Sequence, residues 1–157
     1  MEISKKLDYA LRMMCEVARA GEGSVVSVRE VAEKNNIPYS FARTIQHEMV
    51  QNGLLLTTRG SHGGMRLATS PATLTLLDIV EAVEGPVYSL DKQCRDASPE
   101  AFPQFASVWE ELARLVRGCL ASVTLEQLAV EGLVPVAGED LSFTLVKGSH
   151  GTVAKDG

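Results

Sequence analysis

Residues 39–51 split into two opposed faces, and that split limits what the chain around them can be. Projected at 100° per residue, Phe41, Ala42, Ile45 and Met49 fall on one side. Ser40, Arg43, Thr44, His47 and Gln51 fall on the other, at helical spacing. Such a helix packs by one stripe and presents a row of hydrogen-bonding side chains by the other. Pro38 suits its first turn, where a missing N–H costs nothing. Asn52-Gly53 ends it, with glycine free to take a left-handed cap.

The flanking sequence supplies partners for the packing stripe. Leu7, Ala10, Leu11, Met14, Val17 and Ala18 predict an earlier amphipathic helix stopped by Gly21-Glu22-Gly23. Ser27 and Glu30 have the S-x-x-E spacing of a capping box, opening a short helix with Val28, Val31 and Ala32 inside and Asn35-Asn36 at its end. After residue 53, Leu54–Thr58 and Met65–Thr69 read as strands joined by Arg59-Gly60-Ser61-His62-Gly63-Gly64, a hairpin with a basic, glycine-rich tip. Thr75 and Asp78 start another helix, closed by Gly85-Pro86. Residues 86–106 are polar and proline-containing and read as a loop. Ser107 and Glu110 form a second S-x-x-E box, followed by an apolar seam of Trp109, Leu112, Ala113, Val116, Cys119, Leu120 and Val123 that wants a partner helix. Thr124–Val130 continues that helix or forms a short one.

The expected fold class is therefore mainly α with a small β-hairpin: a winged helix-turn-helix plus a long dimerisation helix. Residues 1–85 are expected to form the DNA-binding domain, 86–106 a loop, 107–131 the dimerisation helix and 132–157 a mobile tail.

The net charge of −5 argues against nucleic acid until its distribution is considered. Residues 1–70 carry 9 Lys+Arg against 7 Asp+Glu, a net of +2, whereas residues 71–157 carry 6 against 13, a net of −7. The acid sits away from the two-faced helix. No apolar run is long enough to span a membrane, and no apolar segment follows the N-terminal lysines, so a cytoplasmic protein is expected. Three scattered cysteines suggest no disulfide framework.

In a winged helix-turn-helix the third helix enters the major groove, whose base edges carry a distinct donor and acceptor code. Ser40, Arg43, Thr44 and His47 are placed for that work. Arg43 is suited to a bidentate contact with guanine, and Thr44 to a phosphate or a thymine methyl. Arg59 with Gly60, Ser61, His62, Gly63 and Gly64 would lie along the backbone or in the minor groove, and Arg29, Phe41 and Arg66 are grouped with this face. Double-stranded DNA and a second copy of the chain are the expected partners. An enzyme is not expected, because there is no nucleophile elbow, phosphate-binding loop or His-Glu-x-x-His motif. A winged helix used for protein contacts, or a small-ligand sensor without a metal cluster, is the alternative.

Three stretches also carry a resemblance: Ile37-Pro38-Tyr39-Ser40-Phe41; Gly53-Leu54-Leu55 with Arg59-Gly60-x-x-Gly63-Gly64-x-Arg66-Leu67-Ala68; and Thr75-Leu76-Leu77-Asp78-Ile79-Val80-Glu81-Ala82-Val83-Glu84-Gly85. Together with Leu7–Leu11 and Trp109 they resemble the Rrf-two family of winged helix-turn-helix regulators over residues 1–131. The resemblance implies a homodimeric regulator, a repressor on a near-palindromic operator, with base contacts on Ser40 to Thr44 and wing contacts on Arg59 to Gly64. Its interface would use Trp109, Leu112, Val116, Cys119, Leu120 and Val123. It also brings in redox or iron–sulfur sensing, which in many relatives uses three close cysteines in the loop. Here only Cys94 stands there, with Ala97 and Pro103 near the other two positions. No cofactor is assigned, and a mixed-ligand cluster on Cys94, Cys119 and Asp8 stays open. Lys92 and Arg95 beside Cys94 favour a redox thiol there, with an inert cysteine the other reading.

Overall fold

Six of the apolar side chains of the first helix reach the interior, and the rest of the molecule is arranged around them. The computed structural model describes residues 3–87, 103–137 and 143–147. Helix α1 (Lys5–Arg19) is capped by the Ser4 side chain, which accepts from Leu7 N, and buries Leu7, Ala10, Met13, Met14, Val17 and Ala18. Against it pack α2 (Val28–Lys34) and α3 (Tyr39–Gln51), followed by strands β1 (Leu55–Thr58) and β2 (Gly64–Leu67). The strands pair antiparallel, with Leu55 opposite Leu67 and Thr58 opposite Gly64. Val26 adds a third backbone segment, exchanging hydrogen bonds of 2.9 and 2.8 Å with Met65. Helix α4 (Leu76–Glu84) completes the core through Ile79 and Val83. This sequence of elements is a winged helix-turn-helix.

Helix α5 (Pro103–Ala121) runs from the side of α4, and Arg117 of α5 pairs with Glu81 of α4. The chain then turns back. Leu76 N donates to Val123 O (2.9 Å) and Leu125 N donates to Leu74 O (2.7 Å). A π-helical turn, Gln127–Glu131, places Ala129 in the same core as Leu125. Arg19 Nε donates to Ala129 O at 2.8 Å, tying the end of α1 to this turn. Strands β3 (Leu133–Ala137) and β4 (Phe143–Lys147) form an antiparallel pair beyond it.

Several expectations need correction. Ser27 stands at the N-cap of α2 with extended backbone but makes no side-chain cap bond. Val26, one residue earlier, is held to Met65 of the wing, so the sheet sets the entry to α2. Helix α5 begins at Pro103, four residues before the expected Ser107 box, so Ser107 and Glu110 lie inside it; proline is tolerated in a first helical turn. Val123 lies past the end of α5 and is fully buried within its own protomer, so it presents no surface to a second copy. The segment 133–147, expected to be a mobile tail, contains the β3–β4 pair. Phe41, expected on the packing stripe, is 46% exposed, while Gln46 is buried instead. Phe41 packs its ring edge-on against Tyr9, centroids 5.8 Å apart, rather than entering the core.

Candidate nucleic-acid interface

Ala42, Ile45, Gln46 and Met49 anchor α3, which leaves Ser40, Arg43, Thr44 and His47 exposed on its outer side. Arg43 and His47 project toward the wing. There they share an open groove of ≈ 630 Å³ with Ser27, Val28, Gln46, Val50, Thr57, Thr58, Arg59, Gly60, Gly63 and Gly64. Among the described residues no carboxylate lines it. Thr44 and Ser40 turn to the other flank of α3, where with Lys6, Phe41 and Ile45 they line a smaller hollow of ≈ 200 Å³. The Thr44 hydroxyl donates to Ser40 O at 3.1 Å, a back-bond available to a helical threonine whose side chain has no stronger acceptor.

The orientation of α3 is fixed by more than its apolar stripe. Lys6 Nζ lies 2.8 Å from Glu48 Oε1 and donates to Val83 O at 3.4 Å, so one ammonium joins α1, α3 and α4. Glu48 and Gln46 were not identified from the sequence, since their helical positions alone do not show which elements cover them.

At the tip, Arg59, Gly60, Ser61 and His62 are exposed, with Ser61 Oγ 3.1 Å from His62 Nδ1. Gly60 has φ 112°, open only to glycine at low cost. Gly63 and Gly64 have a different reason for being glycine. A Cβ on Gly63 would overlap the Thr58 carbonyl oxygen and lie 2.9 Å from Gly60 O, and one on Gly64 would lie 2.8 Å from the Val26 carbonyl carbon. These residues close the wing onto β1 and onto Val26. Arg66 sits half-buried in β2, and Arg29 lies at the start of α2 with its guanidinium 4.6 Å from the centre of the Tyr39 ring.

Two of the three proposed metal donors, Asp8 and Cys119, lie among the described residues. Cys94 lies outside the described residues. Asp8 is engaged by Arg12, one turn on, at 2.8 Å, and Cys119 is half-buried on α5. Among the described residues no three of His, Cys, Asp and Glu converge to hold a metal ion, so these residues do not by themselves fit a cluster. Cys15 is half-buried in α1. Burial pushes its thiol up, with Arg19 opposing and Glu16 adding to the rise, which makes it a poor nucleophile at neutral pH.

A recognition helix with an exposed polar face, a carboxylate-free groove beside it and a glycine-tipped wing define a DNA-binding winged helix of the transcription-regulating class. Residues 3–131 match the family model Rrf2, an iron-dependent transcriptional regulator, and the chain belongs to that family. It is 31% identical over 130 residues to the regulator CymR of Bacillus subtilis, covering 82% of this chain and 90% of that one. It is 25% identical over 129 residues to the regulator IscR of Photorhabdus laumondii, covering 82% and 79%. Among solved structures it resembles B. subtilis CymR, titled the global cysteine regulator of that organism, with a TM-score of 0.71 and 27% identity over 83% of this chain and 98% of that one. T. potens IscR shares the fold, with a TM-score of 0.69 at 24% identity over 83% and 88%. No helix among the described residues is long and apolar enough to cross a membrane.

Proposed function

We propose that this transcriptional regulator acts as a homodimeric repressor that occupies a near-palindromic operator. The observation that carries the reading is the groove between α3 and the wing. Arg43 and His47 from one element and Arg59 from another line the same concavity, and among the described residues no acidic side chain enters it, in a chain whose net charge is −5. Arg43, His47, Ser40 and Thr44 read base edges, and Arg59 with Gly60 to Gly64 follows the backbone or the minor groove.

The second copy is supported by the outer side of α5. Val108, Trp109 and Leu112 are 59, 37 and 41% exposed, a costly amount of apolar surface to leave wet on one helix. Pairing α5 across a two-fold axis covers it and sets two recognition helices on half-sites about 34–36 Å apart.

The decisive test measures affinity for a duplex selected from a random pool, and for random-sequence duplex, over a range of salt. The expected result is a linear fall of log affinity with log salt, about 0.9 per phosphate engaged, and preference for the selected duplex. Salt-independent binding would favour a winged helix used for protein contacts. The signal is read by a visible spectrum with iron and sulfide assay on protein purified without oxygen. Broad visible absorbance with stoichiometric iron assigns a cluster, with Cys94, Cys119 and Asp8 to be mutated. A colourless, iron-free dimer assigns a thiol, small-ligand or protein-partner signal, with Cys94 first.

A further inference from the structure

Tyr39 is the first residue of α3 and Arg29 the second of α2, so their contact joins the N-terminal turns of the two helices of the helix-turn-helix. Tyr39 is 42% exposed, and Arg29 is exposed, with its guanidinium carbon 4.6 Å from the ring centroid, within the range of a cation–π contact. The surrounding geometry gives this pair a direction. Ser27 and Val28, immediately before Arg29, line the groove that holds Arg43 and Arg59. Ser40, immediately after Tyr39, lines the hollow on the other flank of α3. Neither Arg29 nor Tyr39 lines these hollows, but their chain neighbours do, which sets the contact beside the recognition surface, at the helix that in such a motif crosses the phosphate backbone.

We propose that Tyr39 is a positioning residue that holds Arg29 for a backbone phosphate of the bound duplex. This rests on the DNA-reading function proposed above. An unrestrained arginine loses much side-chain freedom on binding a phosphate. Lying against an aromatic face restrains the stem and the guanidinium plane beforehand. A guanidinium stacked flat on such a face keeps its in-plane N–H donors uncovered, and those are the groups that form paired hydrogen bonds to phosphate oxygens. The ring itself carries no sequence information, so the contribution is the same on every sequence. The specificity stays with Arg43 and its neighbours, and Tyr39 with Arg29 sets register and affinity.

The test uses the full chain and a random-sequence duplex two to three helical turns long, with affinity measured by fluorescence anisotropy across a salt series. Wild type, Arg29→Ala, Tyr39→Ala, Tyr39→Phe and the Arg29→Ala/Tyr39→Ala double variant are compared. Arg29→Ala is expected to lower the salt slope by about 0.9, one phosphate's worth. Tyr39→Ala is expected to weaken binding by about two- to fivefold, the strength of an exposed cation–π contact, and to lower the slope toward that of Arg29→Ala. The double variant is expected to bind no worse than Arg29→Ala, and Tyr39→Phe to bind as wild type. Tyr39→Leu, which keeps apolar cover without a π face, replaces Tyr39→Ala if the latter melts early. Independent, multiplying losses in the double variant overturn the proposal. So does an unchanged slope in Tyr39→Ala, or a Tyr39→Phe loss as large as that of Tyr39→Ala, which would assign the phosphate contact to the phenol hydroxyl. Wild type that ignores the duplex removes the DNA-reading function and this proposal together, whereas those three results remove the proposal alone.

Discussion

Arg43 and the two glycines at the end of the wing tip show how differently single residues carry function here. Arg43 is exposed, lines the groove and makes no hydrogen bond or ion pair among the described residues. Arg43→Ala is therefore expected to leave thermal stability unchanged while costing about 1–3 kcal/mol on a selected operator and much less on random duplex. Equal losses on both, by competition anisotropy, would show a phosphate contact instead. Gly64 is the opposite case: a methyl group there runs into the Val26 carbonyl, so Gly64→Ala is expected to cost about 1–3 kcal/mol in urea unfolding. The glycine-rich tip was legible from sequence as flexible backbone able to approach phosphates. That Gly63 is required by the tight closure of the hairpin on Thr58 and Gly60, and Gly64 by the approach of Val26, was not, because neither the turn geometry nor the distant Val26 shows in the local pattern. Phe41 was misplaced for a related reason. Its helical angle puts it on the apolar stripe, but Tyr9 meets it at the rim and not in the core.

At the scale of elements, capping signals divide by what lies next to them. Thr75 and Asp78 form the full reciprocal box, with Thr75 N donating to Asp78 Oδ2 at 2.8 Å and Asp78 N to Thr75 Oγ1 at 3.3 Å. The Ser27 box is not made, and the Ser107 box falls inside a helix that begins earlier. A box that the sequence reading passed over is present at Thr124-Leu125-Glu126-Gln127. Thr124 N donates to Gln127 Oε1 at 3.0 Å and Gln127 N to Thr124 Oγ1 at 3.2 Å. The T-x-x-Q spacing was there to be read, but the apolar seam running into it left open whether Thr124–Val130 continues that helix or starts a short one of its own. The seam on α5 carries its own prediction. Leu112 is 41% exposed, so Leu112→Asp is tolerated by the single protomer. If the seam joins two copies, the substitution drives an aspartate into it and is expected to shift sedimentation from dimer to monomer. A variant that still sediments as a dimer would move the interface elsewhere. Glu81 links this helix to the rest: it pairs with Arg117, and its Oε1 accepts from Val87 N at 3.3 Å, just past the end of α4.

Taken whole, the molecule is less modular than its sequence suggests. A division at residues 85 and 107 follows the composition, since polar residues separate the hairpin domain from the long seam. The core does not respect it. Leu125 is fully buried and Ala129 nearly so, in one cluster with Leu7, Met14, Ile45 and Ile79. Such long-range closure leaves no periodic trace in the sequence, so only the local elements were readable. Leu125→Ala is expected to destabilise the DNA-binding half by about 2–5 kcal/mol, measured by urea unfolding, although the residue follows α5 and is far in sequence from α3. If the two halves were independent, the melting of the winged helix would be unaffected.

The return of residues 123–131 into the first domain also bears on how the protein is made. A nascent chain emerging from the ribosome has α1 to α4 in hand well before Leu125 and Ala129, yet the cavity they fill stays open until translation has passed them. A chain ended before Leu125 is therefore expected to leave that cavity unfilled and its winged helix less stable.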